Sequence, residues 1–310
     1  MILTITMNPA IDKVYIIDNY KLGEVHRPIK TVASAGGKGL NVAKVAKTMG
    51  EKVAATGLLG GSNGDFINNK VKELGIESRF IKVSGETRIC VNVSDTVNQI
   101  STEILEAGPV VSEYEVDKFI KAYENMLNDV KVVTISGSLP KGISNDFYKV
   151  LIDIAKKHDK KVILDTSSKA FIEGIKAIPY MVKPNTDEIK QVYSGDVSTL
   201  EGLVKAIEHF KKMGVEVPVI SLGKDGCIAG LDEGIYRFTI PPARVINTVG
   251  SGDSFIAGCA IGLERELSQI DMIRMGMACG TANTQFAQTG YVEKELVDLY
   301  FGQVEVAEIG

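Results

Sequence analysis

The residues with the most chemical potential lie near the C-terminal end, in Asn247-Thr248-Val249-Gly250-Ser251-Gly252-Asp253-Ser254-Phe255. A small-residue apolar run, Ile256 to Leu263, follows them directly. The pattern reads as a polar glycine loop that delivers one carboxylate to the start of a buried helix. Glycines let the backbone approach a ligand closely, and the unpaired N–H groups of a helix's first turn favour anions. A carboxylate beside an anion site needs a reason, and proton abstraction supplies one. These parts suit phosphoryl transfer. The alternative is a glycine-rich turn with Asp253 as an N-cap.

A second glycine loop, Ala35-Gly36-Gly37-Lys38-Gly39-Leu40-Asn41, opens another helix-period segment. It lacks the glycine spacing and the Ser or Thr of a Walker A loop. Val42 stands where a dinucleotide fingerprint needs its third glycine. Functionally, Lys38 meets an anion and Asn41 bonds a sugar hydroxyl; structurally, the segment is a tight turn with a solvated lysine. Asn185 and Glu188 are three apart, so a helix puts them on one face. That pair suits Mg²⁺, which prefers hard oxygen ligands, or it forms a capping box. Arg88, after Gly85-Glu86-Thr87, is suited to clamp a phosphate. Asp12 is placed to bond sugar hydroxyls or to form a turn after Pro9. His26-Arg27 forms a small basic patch.

The elements that must position these residues alternate. Strands are expected at Ile2–Thr6, Val53–Leu59, Val130–Ile135, Lys161–Asp165, Tyr180–Lys183 and Val217–Leu222. Helices are expected at Gly39–Met49, Phe66–Leu74, Asn145–His158, Asp187–Tyr193 and Leu200–Met213. Cys227–Leu231 and Ile235–Ile240 read as a hairpin, and Ser254–Arg265 and Ser268–Phe286 as two final helices. This order predicts an α/β fold with a central, mostly parallel sheet and helices on both faces. Two segments, 13–32 and 79–105, alternate apolar and polar residues with no helical period. They are expected to form a small β-sheet lid, of the kind that excludes water during phosphoryl transfer. Ligands bind open α/β sheets at the carboxyl ends of the strands. Asn8–Asp12, Ser136–Pro140, Lys183–Glu188 and Ser221–Gly226 all follow expected strands.

Composition narrows the classes. The 310 residues are 45% hydrophobic and 24% charged, with a net charge of −4, which gives no electrostatic reason to expect nucleic acid. No apolar stretch approaches the roughly 20 residues of a membrane span, and the first ten residues do not read as a signal peptide. Cys90, Cys227, Cys259 and Cys279 form no CxxC pair and read as buried small hydrophobes in a reducing cytosol. The three histidines are isolated and predict no zinc cluster.

Taken together, Gly36-Gly37-Lys38-Gly39-Leu40-Asn41, Asn185-Thr186-Asp187-Glu188 and Asn247–Asp253 resemble the signatures of the ribokinase-like (PfkB) carbohydrate kinases, over nearly the whole chain. Asn8–Asp12, Gly36–Lys38, Gly85–Arg88 and Ser136–Pro140 look like the branch of 1-phosphofructokinases and tagatose-6-phosphate kinases. The resemblance implies one kinase domain over 1–310, a ribokinase-like three-layer sandwich with the β-sheet lid. It implies ATP and Mg²⁺, a ketohexose phosphate substrate, a cytoplasmic location and a homodimer formed through the lid. By position it makes Asp253 the base and Gly250, Ser251 and Gly252 the anion hole. Lys183, Asn185 and Glu188 organise Mg²⁺ and the ATP phosphates, and Ser221, Gly223 and Gly226 shape the nucleotide pocket. Asp12, Gly37, Asn41 and Ser138 hold the sugar; Lys38 and Arg88 hold its phosphate, with Arg27 assisting from a partner subunit.

Ala10–Lys13 and Gly23–Arg27 look more like the 1-phosphofructokinase branch, so the resemblance favours fructose 1-phosphate over tagatose 6-phosphate. An unphosphorylated acceptor would leave Lys38 and Arg88 with no phosphate to bind. A non-catalytic sugar-phosphate sensor would have no use for Asp253, and a dehydrogenase would need the missing fingerprint. Asn247 stands where the signature often begins with Asp, which helps bind a monovalent cation in relatives. The resemblance therefore carries no potassium activation to this chain. Ser251 replaces the commoner Ala and still supplies an N–H.

Overall fold

Ile2–Thr6, Val53–Leu59 and Val132–Ser136 are buried at every position. Strands covered on both faces read as continuous apolar runs, and period-2 alternation then splits them between two cores. Ile2, Val53, Val132, Ile163, Met181 and Val217 point into one core. Leu3, Ala54, Val133, Val162, Leu164 and Val182 point into the other. The result is three layers: helices, sheet, helices.

The computed structural model describes residues 1–310. Its large sheet has 11 strands, in the order Glu305–Glu308, Ile235–Thr239, Cys227–Gly230, Val217–Ser221, Met181–Val182, Lys161–Asp165, Val132–Ser136, Ile2–Thr6, Val53–Leu59 and Glu77–Ser78. Ile81–Lys82 also pairs with Val53–Leu59. The strands from Val217–Ser221 to Glu77–Ser78 run parallel, and the three at the other edge are antiparallel. A separate sheet of four strands has the order Lys30–Gly36, Ala10–Ile17, Arg88–Asp95, Ile100–Leu105. Ala10–Ile17 runs parallel to Arg88–Asp95, with Asp12 opposite both Ser34 and Cys90.

The helices that carry site residues are Lys38–Thr48 and Ser251–Glu264. The second is buried from Asp253 to Leu263 and packs on Gln269–Asn283. No helix is long and apolar enough to cross a membrane, and all four cysteines are free and buried.

Several expectations need correction. Asp187–Tyr193 is not an α-helix; only a 3₁₀ turn, Ile189–Gln191, forms. The Asn185 side chain accepts the N–H groups of Asp187 and Glu188, and Glu188 accepts from Asn185 N–H in return, so the capping box forms, but the turn it starts ends after Ile189–Gln191. Ile81–Lys82, inside the second expected lid segment, joins the large sheet, while the first lid hairpin extends outward to Ala10 and Gly36. Glu113–Met126 and Lys294–Phe301 are helices that the apolar pattern did not announce. The first carries a full capping box between Ser112 and Glu115.

Candidate active site

Because the central strands are parallel, their carboxyl ends gather along one edge. That edge presents Asn8 after Thr6, Gly137-Ser138 after Ser136, Asp165, Lys183 after Val182, and Ser221. Asn185 pairs with Ser221 in an isolated bridge, and Ser221 N–H donates to the Pro184 carbonyl at 3.1 Å. Lys183, Asn185, Ser221, Gly223, Gly226 and Gly252 line one cleft of about 1540 Å³. The expected nucleotide residues therefore share a single concavity with the glycine loop.

Gly250 turns the chain into the Ser251–Glu264 helix with φ at +84°, where a side chain would be strained. Asn247 braces the loop: its Oδ1 accepts from Val249 N–H at 3.0 Å, and its Nδ2 donates to the Ala287 carbonyl at 3.1 Å. The N–H groups of Gly250, Gly252 and Asp253 have no partner in the chain, whereas Ser251 N–H donates to Thr248 at 3.3 Å. These unpaired donors at a helix head form an anion site. A Cβ on Gly252 would lie 3.5 Å from Lys183 Nζ, so the loop and that cation face each other.

Asp253 is 7% exposed. Its Oδ2 accepts from Asn41 Nδ2 at 2.8 Å. Burial pushes its carboxyl up to about 6, and the nearby Asp165 adds to the rise; Lys38, Asn41 and Lys183 oppose it. A carboxylate so tuned accepts a proton more readily than a solvated one while remaining ionised near neutral pH.

Asp165 was not singled out in the sequence. It closes the Lys161–Asp165 strand, and its oxygens lie 3.4 Å from Lys38 Nζ and 3.4 Å from Lys183 Nζ. Burial raises its carboxyl, but Lys183 and Lys38 outweigh that and hold it below the usual range. The same pairing, Asp165 foremost, raises Lys38. An acid closing an apolar strand of a parallel sheet is the signal that could have found it.

Asp12 lies on the small sheet. Burial raises its carboxyl, against Lys44 and Arg88. Arg88 donates through Nε and Nη2 to the Asn8 carbonyl at 3.2 and 2.9 Å, and through Nη1 to the Glu106 carbonyl at 3.0 Å. Its guanidinium thus ties two loops together beside Asp12. Gly37 ends the turn into the Lys38–Thr48 helix, and Ser138 is exposed at the edge of the site. Arg27 is exposed in the loop between the first two strands of the small sheet, and no hydrogen bond or ion pair links it to these residues. Glu188 and Asn185 form a reciprocal turn, with Asn185 N–H donating to Glu188 Oε2 at 3.0 Å. Glu188 Oε1 carries no hydrogen bond.

A carboxylate at a helix head, unpaired N–H groups beside it and a lysine-framed cleft on a ribokinase-like α/β fold define a phosphotransferase. The chain belongs to the pfkB family of carbohydrate kinases, whose profile matches residues 1–295. It is a sugar phosphotransferase, and carbohydrate kinases of this family use ATP. A Staphylococcus aureus protein described as a "putative phosphofructokinase" is 29% identical, with a TM-score of 0.86 over 100% of this chain and 99% of that one. A Thermotoga maritima protein described as a possible 1-phosphofructokinase is 25% identical, with a TM-score of 0.88 over 100% of both chains. Escherichia coli phosphofructokinase-2, at 24% identity, has a TM-score of 0.90 over 97% of this chain and 98% of that one, which supports the fold.

Proposed function

We propose that the protein transfers the γ-phosphoryl group of ATP to a ketohexose phosphate, with fructose 1-phosphate, giving fructose 1,6-bisphosphate, as the preferred acceptor. The observation that carries the reading is Asp253, a buried carboxylate with a raised pKa at the head of a helix with unpaired N–H groups. The description of the Thermotoga structure supports the choice of acceptor.

In this reading Asp253 takes the acceptor's hydroxyl proton as that oxygen bonds to phosphorus and the bond to the ADP oxygen breaks. The unpaired N–H groups of Gly250 and Gly252 meet the charge on the transferred group, and Ser251 N–H joins them by leaving the Thr248 carbonyl. ATP occupies the cleft against Lys183, Asn185, Ser221, Gly223 and Gly226. Asp12, Gly37, Asn41 and Ser138 hold the sugar. Lys38 and Arg88 hold its phosphate, and Arg27 reaches it from a second subunit.

Mg²⁺ fits the donor set at Glu188. Oε1 is unpaired, whereas Asn185 Oδ1 already accepts two N–H groups, so the protein would offer one hard oxygen and leave other positions to water and phosphate. When bound there, the ion would neutralise phosphate charge. The whole chain acts as one kinase domain, working in the cytoplasm with the small sheet as its lid. Leu22, Val25, Ile29, Ile100, Ile104 and Leu105 are exposed on that sheet and its connecting loop, and they support a homodimer formed through the lid.

The test is kcat/KM with ATP and Mg²⁺ for fructose 1-phosphate, tagatose 6-phosphate and fructose 6-phosphate. Fructose 1-phosphate should lead. A higher value for tagatose 6-phosphate would reassign the substrate, and no turnover on any of the three would overturn the sugar-phosphate reading.

A further inference from the structure

Lys44 lies outside the glycine motif, one helical turn beyond Asn41, on a helix whose Leu40, Asn41, Val42, Ala43 and Val45 are buried. Its Nζ donates to Asn41 Oδ1 at 3.3 Å, and Asn41 Nδ2 in turn donates to Asp253 Oδ2 at 2.8 Å. We propose that Lys44 is a positioning residue for phosphoryl transfer, fixing the Asn41 amide so that its NH₂ group holds and aims the Asp253 carboxylate. This rests on the reading of Asp253 as the base.

An ammonium has donors only, so just one end of the Asn41 amide, its oxygen, can face Lys44. That choice turns the NH₂ toward Asp253. Without Lys44 the buried amide oxygen loses its donor, and the amide is held at one end, by Asp253, instead of at both. Asn41 is 5% exposed, and the Gly290 backbone crosses it so closely that a Cβ there would lie 2.9 Å from Asn41 Cβ.

The charges around the pair are ordered as the proposal needs. Asp165, Lys38, Lys183 and Lys44 face Asp253, while Asp12 and Asp253 face Lys44. Burial lowers the Lys44 ammonium, and the two carboxylates work to keep it charged. Lys44 thus stands between the base and the sugar-side acid, and touches the first through Asn41.

The test is steady-state kinetics on Lys44→Met, Lys44→Arg, Asn41→Ala and the Lys44→Met/Asn41→Ala double variant, with Asp253→Asn as the reference for the base. Lys44→Met should lower kcat by about 10- to 100-fold, as a misplaced catalytic group does, with KM for the sugar phosphate changed by less than about threefold. Lys44→Arg, which keeps the donor, should recover most of the loss. The double variant should be no worse than Asn41→Ala alone, since both act through one amide. The acid limb of the kcat–pH profile should move upward in Lys44→Met, because a cation opposing protonation of Asp253 has gone. Should Lys44→Met fail to fold, Lys44→Leu replaces it, with the same drop in kcat expected.

Unchanged kcat in Lys44→Met would overturn the proposal, as would losses that multiply in the double variant. Intact kcat with KM raised tenfold would also overturn it, making Lys44 a phosphate ligand instead. If Asp253→Asn itself keeps near-normal turnover, the base reading fails separately.

Discussion

The Lys183 ammonium and the Asp165 carboxylate lie 3.4 Å apart, with side chains only 8% and 4% exposed. Lys38 approaches the same carboxylate at 3.4 Å from a half-open position. Two cations therefore share one buried anion beside Asp253, and together they balance the charges of both carboxylates where phosphate charge would develop.

Removing one partner of a buried pair leaves the other uncompensated. Asp165→Ala should therefore destabilise the protein by about 3 kcal/mol, read as a shifted urea midpoint at unchanged slope. A loss under about 0.5 kcal/mol would mean that Lys183 finds other partners in that variant.

The pH dependence follows from Asp253, whose carboxyl burial raises to about 6. In the proposed mechanism the ionised form is the base, so kcat/KM should fall with a slope of one as pH drops through about 6. Asp165 raises Asp253, so Asp165→Asn should move that limb to lower pH. Lys38 lowers it, so Lys38→Met should move the limb upward. Opposite movements in the pH–rate profiles would contradict the assignment.

The same shift carries a stability consequence. A carboxyl whose folded pKa exceeds its unfolded value binds its proton more tightly in the folded state. Its contribution to stability is present below about pH 4 and is lost as pH rises through about 6. Above that window, ionised Asp253 costs at most about 3 kcal/mol. Asp253→Asn should then raise Tm at pH 8 relative to the native chain, with a smaller gain at pH 5. Calorimetry at the two pH values tests this, and a lower Tm at pH 8 would contradict it.

Gly250 holds φ at +84°, and a Cβ there would lie 2.6 Å from Thr289 Cγ2. Gly250→Ala should lose about 1–2 kcal/mol from the left-handed backbone alone, together with most of kcat through a displaced helix head. Normal kcat in a folded Gly250→Ala would remove that loop geometry from the mechanism.

Arg88→Ala should raise KM for the sugar phosphate at least tenfold while leaving KM for ATP nearly unchanged. Because Arg88 also ties the Asn8 and Glu106 carbonyls, Arg88→Lys should restore less than half of the loss. Equal rises in both KM values would assign Arg88 to loop structure alone.

Much of this site was legible because its residues come in local motifs. Gly36–Asn41 and Gly250–Asp253 are contiguous, and each turns into a helix, at Lys38 one residue and at Ser251 three residues before the expected start. The parallel sheet was readable from apolar runs separated by helical periods. What escaped notice was long-range or locally ambiguous. Asp165 meets Lys38 across 127 residues, and Asn41 meets Asp253 across 212, so neither pair leaves a spacing to read. Asn185 and Glu188 form the capping box their spacing allows, but the turn it starts runs only through Ile189–Gln191, so no α-helix follows. The Glu113–Met126 helix hid behind a narrow apolar face, although Ser112 and Glu115 spell its capping box.

The most direct measurement is rapid-quench phosphoryl transfer by Asp253→Asn with ATP and fructose 1-phosphate, paired with calorimetric binding of both substrates. The account predicts binding within about tenfold of the native protein and transfer slowed by roughly 10³-fold or more. Transfer near the native rate, with binding intact, would contradict Asp253 as the base.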